Sequence, residues 1–150
     1  MSTAPRPGGS GSSACDAMRK RRTVWDLNEM GVFFYSRGAY DLAISELKLA
    51  LMAAPAPTAV LHVNLGAAYL GKKMYAEAEA ALRRGLAIDP QSQNGHFLLG
   101  RLLCETRRER EALAEFEQAR ALDPDSPRAQ AAAEEIRCLN AKAASALGAG

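Results

Sequence analysis

The architecture of this chain is decided by the stretch between Gly66 and Pro90, which reads GAAYLGKKMYAEAEAALRRGLAIDP. A similar pattern of small and apolar residues occurs before and after it, at residues 31–55 and 100–124. Equivalent positions lie 35 residues apart between the first two copies and 34 apart between the last two. Self-similarity at a fixed period of this size is typical of repeat proteins, in which stacked copies share one continuous core. The chain is therefore predicted to be a stack of three similar units.

Each copy has the pattern of two helices joined by a short turn, because apolar residues recur at helical spacing and a proline ends the second segment. The first copy is predicted as one helix between Thr23 and the turn at residues 37–38, and another between Tyr40 and Pro55. The corresponding helices span residues 59–72 and 75–88 in the second copy, and 93–106 and 108–122 in the third.

A further amphipathic helix is predicted after the third copy. Ser126 and Pro127 are suitable residues for an N-cap and a first helical position, and the helix is expected to span residues 127–146, with fraying from Leu147 onward. A helix with one apolar and one polar face can cover the open end of a stack of repeats. The sequence thus predicts a repeat domain over residues 23–146, with copies at about 24–57, 59–92 and 93–126.

Small residues recur where the helices of each copy must approach closely, at Gly31, Gly66 and Gly100. A larger side chain at such a position is expected to overpack the core, at a cost of roughly 1–3 kcal/mol. Gly85 lies in the middle of a predicted helix, where glycine costs about 0.8–1 kcal/mol relative to alanine. Gly85→Ala is therefore expected to stabilise the fold, unless packing there leaves no room for a methyl group.

Composition and charge argue against several classes of function. The chain has 150 residues, of which 48% are apolar, and its formal net charge is only +2, so a polyanionic partner such as nucleic acid is not expected. No apolar run approaches the roughly 18 residues that a membrane-spanning helix needs. The N-terminus lacks the apolar core of a signal peptide. No nucleophile-elbow, phosphate-loop or dinucleotide motif occurs, which predicts a non-catalytic protein without cofactor or metal.

Residues 1–22 are predicted to be a tail that is disordered or partly helical. The first 13 residues are rich in proline, glycine and serine, whereas Ala14, Met18 and Trp25 could share one helical face. The basic run at residues 19–22 is interpreted as a solvated segment, with a nucleic-acid or membrane-surface patch as the alternative. Cys15, Cys104 and Cys138 are odd in number and scattered, which favours reduced thiols and a cytoplasmic location.

The histidines and one of the cysteines allow either a reactive role or a simple packing role. His62 and His96 occupy equivalent positions in consecutive copies. Equivalent residues of stacked helices lie about 10 Å apart, whereas zinc binds nitrogen at about 2.0–2.1 Å. Half-buried packing histidines are therefore predicted. Cys104 has Arg101, Arg107 and Arg108 nearby in sequence, which leaves open a lowered thiol pKa and a reactive role, although an inert thiol is favoured.

The repeat resembles the tetratricopeptide repeat. The period, the Gly-x-x-Tyr of Gly66 and Tyr69, the small residues Ala78 and Gly85, and the Asp-Pro pairs at 89–90 and 123–124 are similar to that family's pattern. The third copy departs from it, with leucine and glutamate where aromatic residues are usual. The resemblance implies an all-α, right-handed α-solenoid of helix hairpins, whose first helices line a concave groove.

Helical spacing places a largely apolar set of residues on the inner face of that groove, which is expected to bind a peptide segment of another protein. The candidate peptide-binding residues are Trp25, Asn28, Val32, Tyr35, Val63, Asn64, Ala67, Leu70, Phe97, Leu98 and Arg101. The predicted role is that of an adaptor or a chaperone-like partner. The alternative is a structural scaffold, in which a second copy of the chain, or residues 14–22, fills the groove.

Some members of the family clamp the C-terminal carboxylate of chaperones with lysine, arginine and asparagine side chains. The residues taken to correspond here are Asn28, Val32, Asn64, Asn94 and Leu98. Because these include no cation, a charge-assisted clamp on a carboxylate is not expected. The small three-repeat chaperones of type III secretion also resemble this chain in length and layout, which makes a client chaperone a specific variant of the predicted role.

Overall fold

The computed structural model describes residues 22–148, and all regular secondary structure within them is α-helical, with no strand. Seven helices follow one another: α1 (Val24–Ser36), α2 (Tyr40–Ala53), α3 (Ala59–Gly71), α4 (Tyr75–Ile88), α5 (Gln93–Glu105), α6 (Glu109–Leu122) and α7 (Pro127–Gly148). The first six form three antiparallel hairpins, each packed against the next, and α7 packs on the third. The arrangement is the all-α solenoid that the repeats predicted.

Side-chain caps fix where several helices begin. The Thr23 hydroxyl accepts a hydrogen bond from the Asp26 backbone N–H, while the Asp26 carboxylate accepts one from the Thr23 N–H. This capping box also lowers the pKa of Asp26, chiefly through the bond from the Thr23 backbone. Ser92 caps α5, and Ser126 caps α7 through the Ala129 N–H at 3.0 Å. The capping residues expected at Thr23 and Ser126 are thus confirmed.

The turns inside the three hairpins share one backbone conformation. The second residue after each first helix has a positive φ, which is +74° at Gly38, 63° at Lys73 and 65° at Arg107. Glycine adopts this left-handed conformation without steric cost, whereas lysine and arginine adopt it less readily. The repeated geometry therefore comes from the hairpin as a whole and not from glycine alone.

Close helix contact inside each hairpin depends on a glycine of the first helix and a large side chain of the second. A β-carbon built on Gly31 would lie 2.6 Å from Cγ of Leu47, and one built on Gly66 would lie 2.6 Å from Cγ of Leu82. The third hairpin repeats the arrangement with Gly100 and Phe116, at 2.8 Å. The close approach expected at these glycines is confirmed. In each hairpin it lets a large side chain of the second helix pack directly against the backbone of the first helix.

The helix bounds agree closely with those expected. The last helix extends through Gly148, two residues beyond the expected end at residue 146. The methyl of Gly85→Ala would meet Val63 Cγ2 at 2.8 Å and the Ala59 carbonyl oxygen at 3.2 Å, so the expected stabilisation is replaced by a steric conflict.

No helix within residues 22–148 combines the length and the apolar character that a membrane crossing requires. The expectations for residues 1–21, including the disordered or partly helical tail, Cys15 and most of the basic run, lie outside the described residues.

Candidate functional site

A cavity of about 230 Å³ opens on the face where the first helices of the hairpins lie side by side. Helices α1, α3 and α5 supply most of its wall. Helix α2 contributes one residue, Leu47, and the start of α7 closes one end. The lining residues are Gly31, Val32, Tyr35, Leu47, Asn64, Ala67, Asn94, Leu98, Arg101 and Arg128. The first helices thus line a shared concavity, as the resemblance implied.

The apolar part of the wall comes from the first two hairpins and from α5. Val32 and Tyr35 are one turn apart on α1, and Leu98 of α5 faces the same cavity. Leu47 reaches the cavity from α2 because Gly31 leaves room for its side chain to pass beside α1. Tyr35 also packs against Tyr40, with the rings tilted by 56° and their centres 5.8 Å apart, which limits the rotamers open to Tyr35.

The polar part of the wall contains two amides and two guanidinium groups. Asn64 donates a hydrogen bond of 2.8 Å to the side-chain oxygen of Asn28, which ties α3 to α1 and leaves the Asn64 oxygen available as an acceptor. Arg101 and Arg128 are both exposed, and neither pairs with a carboxylate among the described residues. The lining carries no acidic side chain, so the end of the cavity that Arg101 and Arg128 form is electropositive.

Arg128 is held in place by the contacts at the start of α7. Its guanidinium carbon lies 4.7 Å from the centre of the Phe97 ring, a cation–π contact. The amide of Gln93 donates to the Ser126 hydroxyl at 2.8 Å and to the Ala119 carbonyl at 2.8 Å, which joins α5, α6 and α7. The position of this guanidinium therefore depends on the docking of α7 against the third hairpin.

Six of the predicted site residues line the cavity together: Val32, Tyr35, Asn64, Ala67, Leu98 and Arg101. Asn28 does not line the cavity, but it accepts the hydrogen bond from Asn64. Trp25, at the start of α1, also lies outside the cavity and is 61% exposed.

The expectation of an open apolar face is wrong for five residues, of which only Ala67 and Leu98 still border the cavity. Val63, Leu70 and Phe97 are buried in the core, because Val63 packs beneath Gly85 and the ring of Phe97 packs against that of Phe116 at 5.6 Å. A helix that is covered by neighbours on both sides buries a wider part of its surface than a single apolar stripe. Helical spacing alone therefore assigned these buried residues to the exposed inner face.

Arg128 is the main residue that the sequence reasoning missed, because the closing helix was treated only as a cover. The repeat period itself contained the signal. Arg128 lies 34 residues after Asn94, which in turn follows Val60 by 34, and all three are inner-face positions at the start of a helix. The five positions compared with the carboxylate clamp carry no cation, but Arg101 and Arg128 bring two guanidinium groups to the same cavity.

The histidines and the cysteines are in packing positions. His62 and His96 are half-buried, as predicted, and burial, followed by the charge of Arg84, lowers the pKa of His62. His96 bridges Glu115 of α6, at 2.6 Å, and the Pro90 carbonyl oxygen, at 2.7 Å.

Cys104 and Cys138 are free thiols. Burial, followed by the charges of Glu135 and Glu109, raises the pKa of Cys104, which argues against the reactive alternative. No group of three or more metal-binding side chains occurs between residues 22 and 148.

Comparison with known proteins gives a consistent result. The sequence profile of the tetratricopeptide repeat matches residues 69–136. BBSome complex member BBS4 of Xenopus tropicalis is 30% identical over 114 residues, which are 76% of this chain but only 22% of that protein. The chain therefore spans about a fifth of the length of this curated relative.

Solved structures agree in fold. The first TPR domain of human RPAP3 is 25% identical, with a TM-score of 0.74 over 82% of this chain and 94% of that one. The first TPR of Spaghetti (RPAP3), bound to the HSP90 peptide SRMEEVD, is 24% identical, with a TM-score of 0.73 over 81% and 94%. The repeat period, the stacked hairpins and the profile match over residues 69–136 lead to one conclusion: the chain is built of tetratricopeptide repeats.

Proposed function

We propose that this protein is a non-catalytic adaptor or chaperone-like partner that holds a peptide segment of another protein in the concave cavity, in the cytoplasm. The observation that carries the proposal is the two-sided lining of the cavity. Val32, Tyr35 and Leu98 form an apolar wall, and Arg101 and Arg128 form a cationic end. Such a site selects a ligand that presents an apolar side chain and a negative charge close together.

The size of the cavity favours side-chain anchoring over the enclosure of a small molecule. Its volume of about 230 Å³ is below the roughly 300–1,000 Å³ of typical small-molecule pockets. An extended peptide could place one apolar side chain in the cavity and run its backbone along the amides of Asn64 and Asn94. A carboxylate of the peptide could then form charge-assisted hydrogen bonds with the two guanidinium groups.

The ligand in a similar structure supports this class of peptide. The peptide SRMEEVD bound to the Spaghetti TPR combines apolar residues with acidic ones. That domain shares only 24% identity with this chain, so it supports the chemical class of the ligand and not its identity.

The proposal can be tested with an immobilised library of random heptapeptides. We expect the protein to enrich peptides that contain both an apolar and an acidic residue. Binding of the enriched peptides should weaken about tenfold or more in Arg101→Ala and Arg128→Ala, corresponding to about 1.4 kcal/mol or more. Tyr35→Ala should weaken it through loss of the apolar wall.

Arg110→Ala is the matched control, because Arg110 is an exposed arginine of α6 that does not line the cavity. It should leave peptide binding unchanged. Enrichment of no peptide, or an equal loss in the Arg110 variant, would overturn the proposal.

A further inference from the structure

A second cavity, of about 600 Å³, lies at the edge of the solenoid between the first two hairpins. We call it the loop cavity, because the loop between α2 and α3 forms one of its walls, together with the end of α2, the start of α3 and the end of α4. Most of its lining is apolar and includes Leu51, Pro55, Pro57 and Ile88. None of the lining residues borders the concave cavity, so the two sites are separate.

Two polar side chains face this apolar lining, His62 of α3 and Arg84 of α4. Within residues 22–148 neither side chain forms an ion pair or a hydrogen bond. No acidic side chain borders the loop cavity. The carboxylate of the neighbouring Asp89 instead accepts a hydrogen bond of 3.0 Å from the Gln91 backbone N–H.

The third hairpin shows which group a histidine binds at this repeat position. His96, which follows His62 by 34 residues, has Nδ1 at 2.6 Å from the carboxylate of Glu115 and Nε2 at 2.7 Å from the Pro90 carbonyl oxygen. The residue equivalent to Glu115 in the second hairpin is Ala81, whose side chain has no polar atom. The second hairpin therefore lacks the carboxylate that the chain itself supplies in the third.

The position of Arg84 differs between the same two hairpins in the complementary sense. Its equivalent in the third hairpin is Gln118, which is uncharged. Burial, followed by the charge of Arg84, lowers the pKa of His62, so at pH 7 its imidazole is neutral and keeps one ring N–H to donate. Where the internal carboxylate is missing, the chain thus carries a guanidinium group and a free imidazole, both of which bind carboxylates well.

We propose that the loop cavity binds a small carboxylic acid, whose carboxylate lies between His62 and Arg84 and whose apolar body lies on Leu51, Pro55 and Ile88. The volume of about 600 Å³ is within the roughly 300–1,000 Å³ of small-molecule sites. The prolines of the loop offer apolar rings and no backbone N–H, so the two polar side chains define where the charge of the ligand lies.

NMR titration of the full-length chain with phenylpropionate tests the site. We expect saturable shifts of the His62 ring signals and of the amides of residues 51–57 and 84–88, whereas the ring of His96, whose partners are internal, should keep its signals. Phenylpropanol has the same apolar body without the charge, and it should bind at least about tenfold more weakly.

Three variants test the proposed contacts. His62→Gln and Arg84→Gln, the second of which introduces the residue of the third hairpin, should each weaken binding of phenylpropionate about tenfold or more. Ala81→Glu supplies the carboxylate that Glu115 supplies in the third hairpin, and it should prevent binding by occupying His62. Arg84 is exposed, so its variant tests the site even if a glutamate at the buried Ala81 prevents folding.

The matched control is the double variant Arg101→Ala/Arg128→Ala, which removes both cations of the concave cavity. It should leave the affinity for phenylpropionate at the loop cavity unchanged, because this inference does not depend on the peptide-binding proposal.

The absence of saturable shifts at His62, or an equal loss of affinity in the control, would overturn the proposal. Shifts confined to the concave cavity would do so as well. Shifts at residues 51–57 that depend on protein concentration without any probe would assign the loop cavity to an acidic side chain of a second copy, and would exclude the free acid.

Discussion

Gly85 shows how a single residue can reverse an expectation from helix propensity. Alanine at a mid-helix position gains about 0.8–1 kcal/mol over glycine. Here its methyl group would lie 2.8 Å from Val63 Cγ2 and 3.2 Å from a backbone oxygen of α3. Because overpacking costs roughly 1–3 kcal/mol, we expect Gly85→Ala to lower the free energy of unfolding by about 1 kcal/mol, measured by urea denaturation.

Gly148→Ala provides the matched control, since no atom lies within 4 Å of a β-carbon at that position. It should leave the free energy of unfolding unchanged or slightly raised. A Gly85→Ala protein more stable than the wild type would show that α3 and α4 can separate without cost, and would contradict the packing described for Val63.

At the scale of helices, an ion-pair network joins the second hairpin to the third. Arg108, just before α6, donates to both carboxylate oxygens of Glu79 on α4 at 2.9 Å, and to Glu111 at 2.7 and 2.9 Å. Partial burial acts to raise the pKa of Glu79, but hydrogen bonds from Arg83 and Arg108 outweigh it and lower that pKa. The hydrogen bonds from Arg108 likewise lower the pKa of Glu111.

These lowered pKa values predict an acid-sensitive contact between the hairpins. A carboxyl group whose pKa is lower in the folded state stabilises the fold above its ordinary pKa of 4.5, and the stabilisation is lost as the pH falls through the folded value. Glu79→Gln should therefore have a lower melting temperature than the wild type at pH 7. The difference should shrink progressively below pH of about 4.5.

Glu134→Gln is the control for this titration, because Glu134 pairs with Arg137 within one turn of α7 and both side chains are exposed. Exposed pairs of this kind contribute little, so the variant should follow the wild-type melting curve at every pH. A constant gap between Glu79→Gln and the wild type down to pH 3 would contradict the assigned ionisation.

At the scale of the whole molecule, the repeat period predicted the fold because each helix obeys the same spacing rule in all three copies. The candidate site was predicted only in part. Val32, Asn64 and Arg101 lie where the period placed them, since they are at the middle of the inner face. Phe97 was misplaced because its orientation depends on Phe116 of the next helix, a contact that periodicity within one helix does not encode. Arg128 was missed although the 34-residue period extends to it, because the closing helix was interpreted only as a cover.

The stacked architecture also predicts that stability is local. Each hairpin contacts chiefly its neighbours, so a defect in α7 should loosen the C-terminal end before it affects the first hairpin. Ile136 is buried in the shared core, and Ile136→Ala should cost roughly 2–5 kcal/mol. In native-state hydrogen exchange, amides of α6 and α7 should lose far more protection than those of α1 and α2. Leu147→Ala, at an exposed position of the same helix, should change neither region. An equal loss of protection in all seven helices would instead show that the three hairpins and α7 unfold as a single cooperative unit.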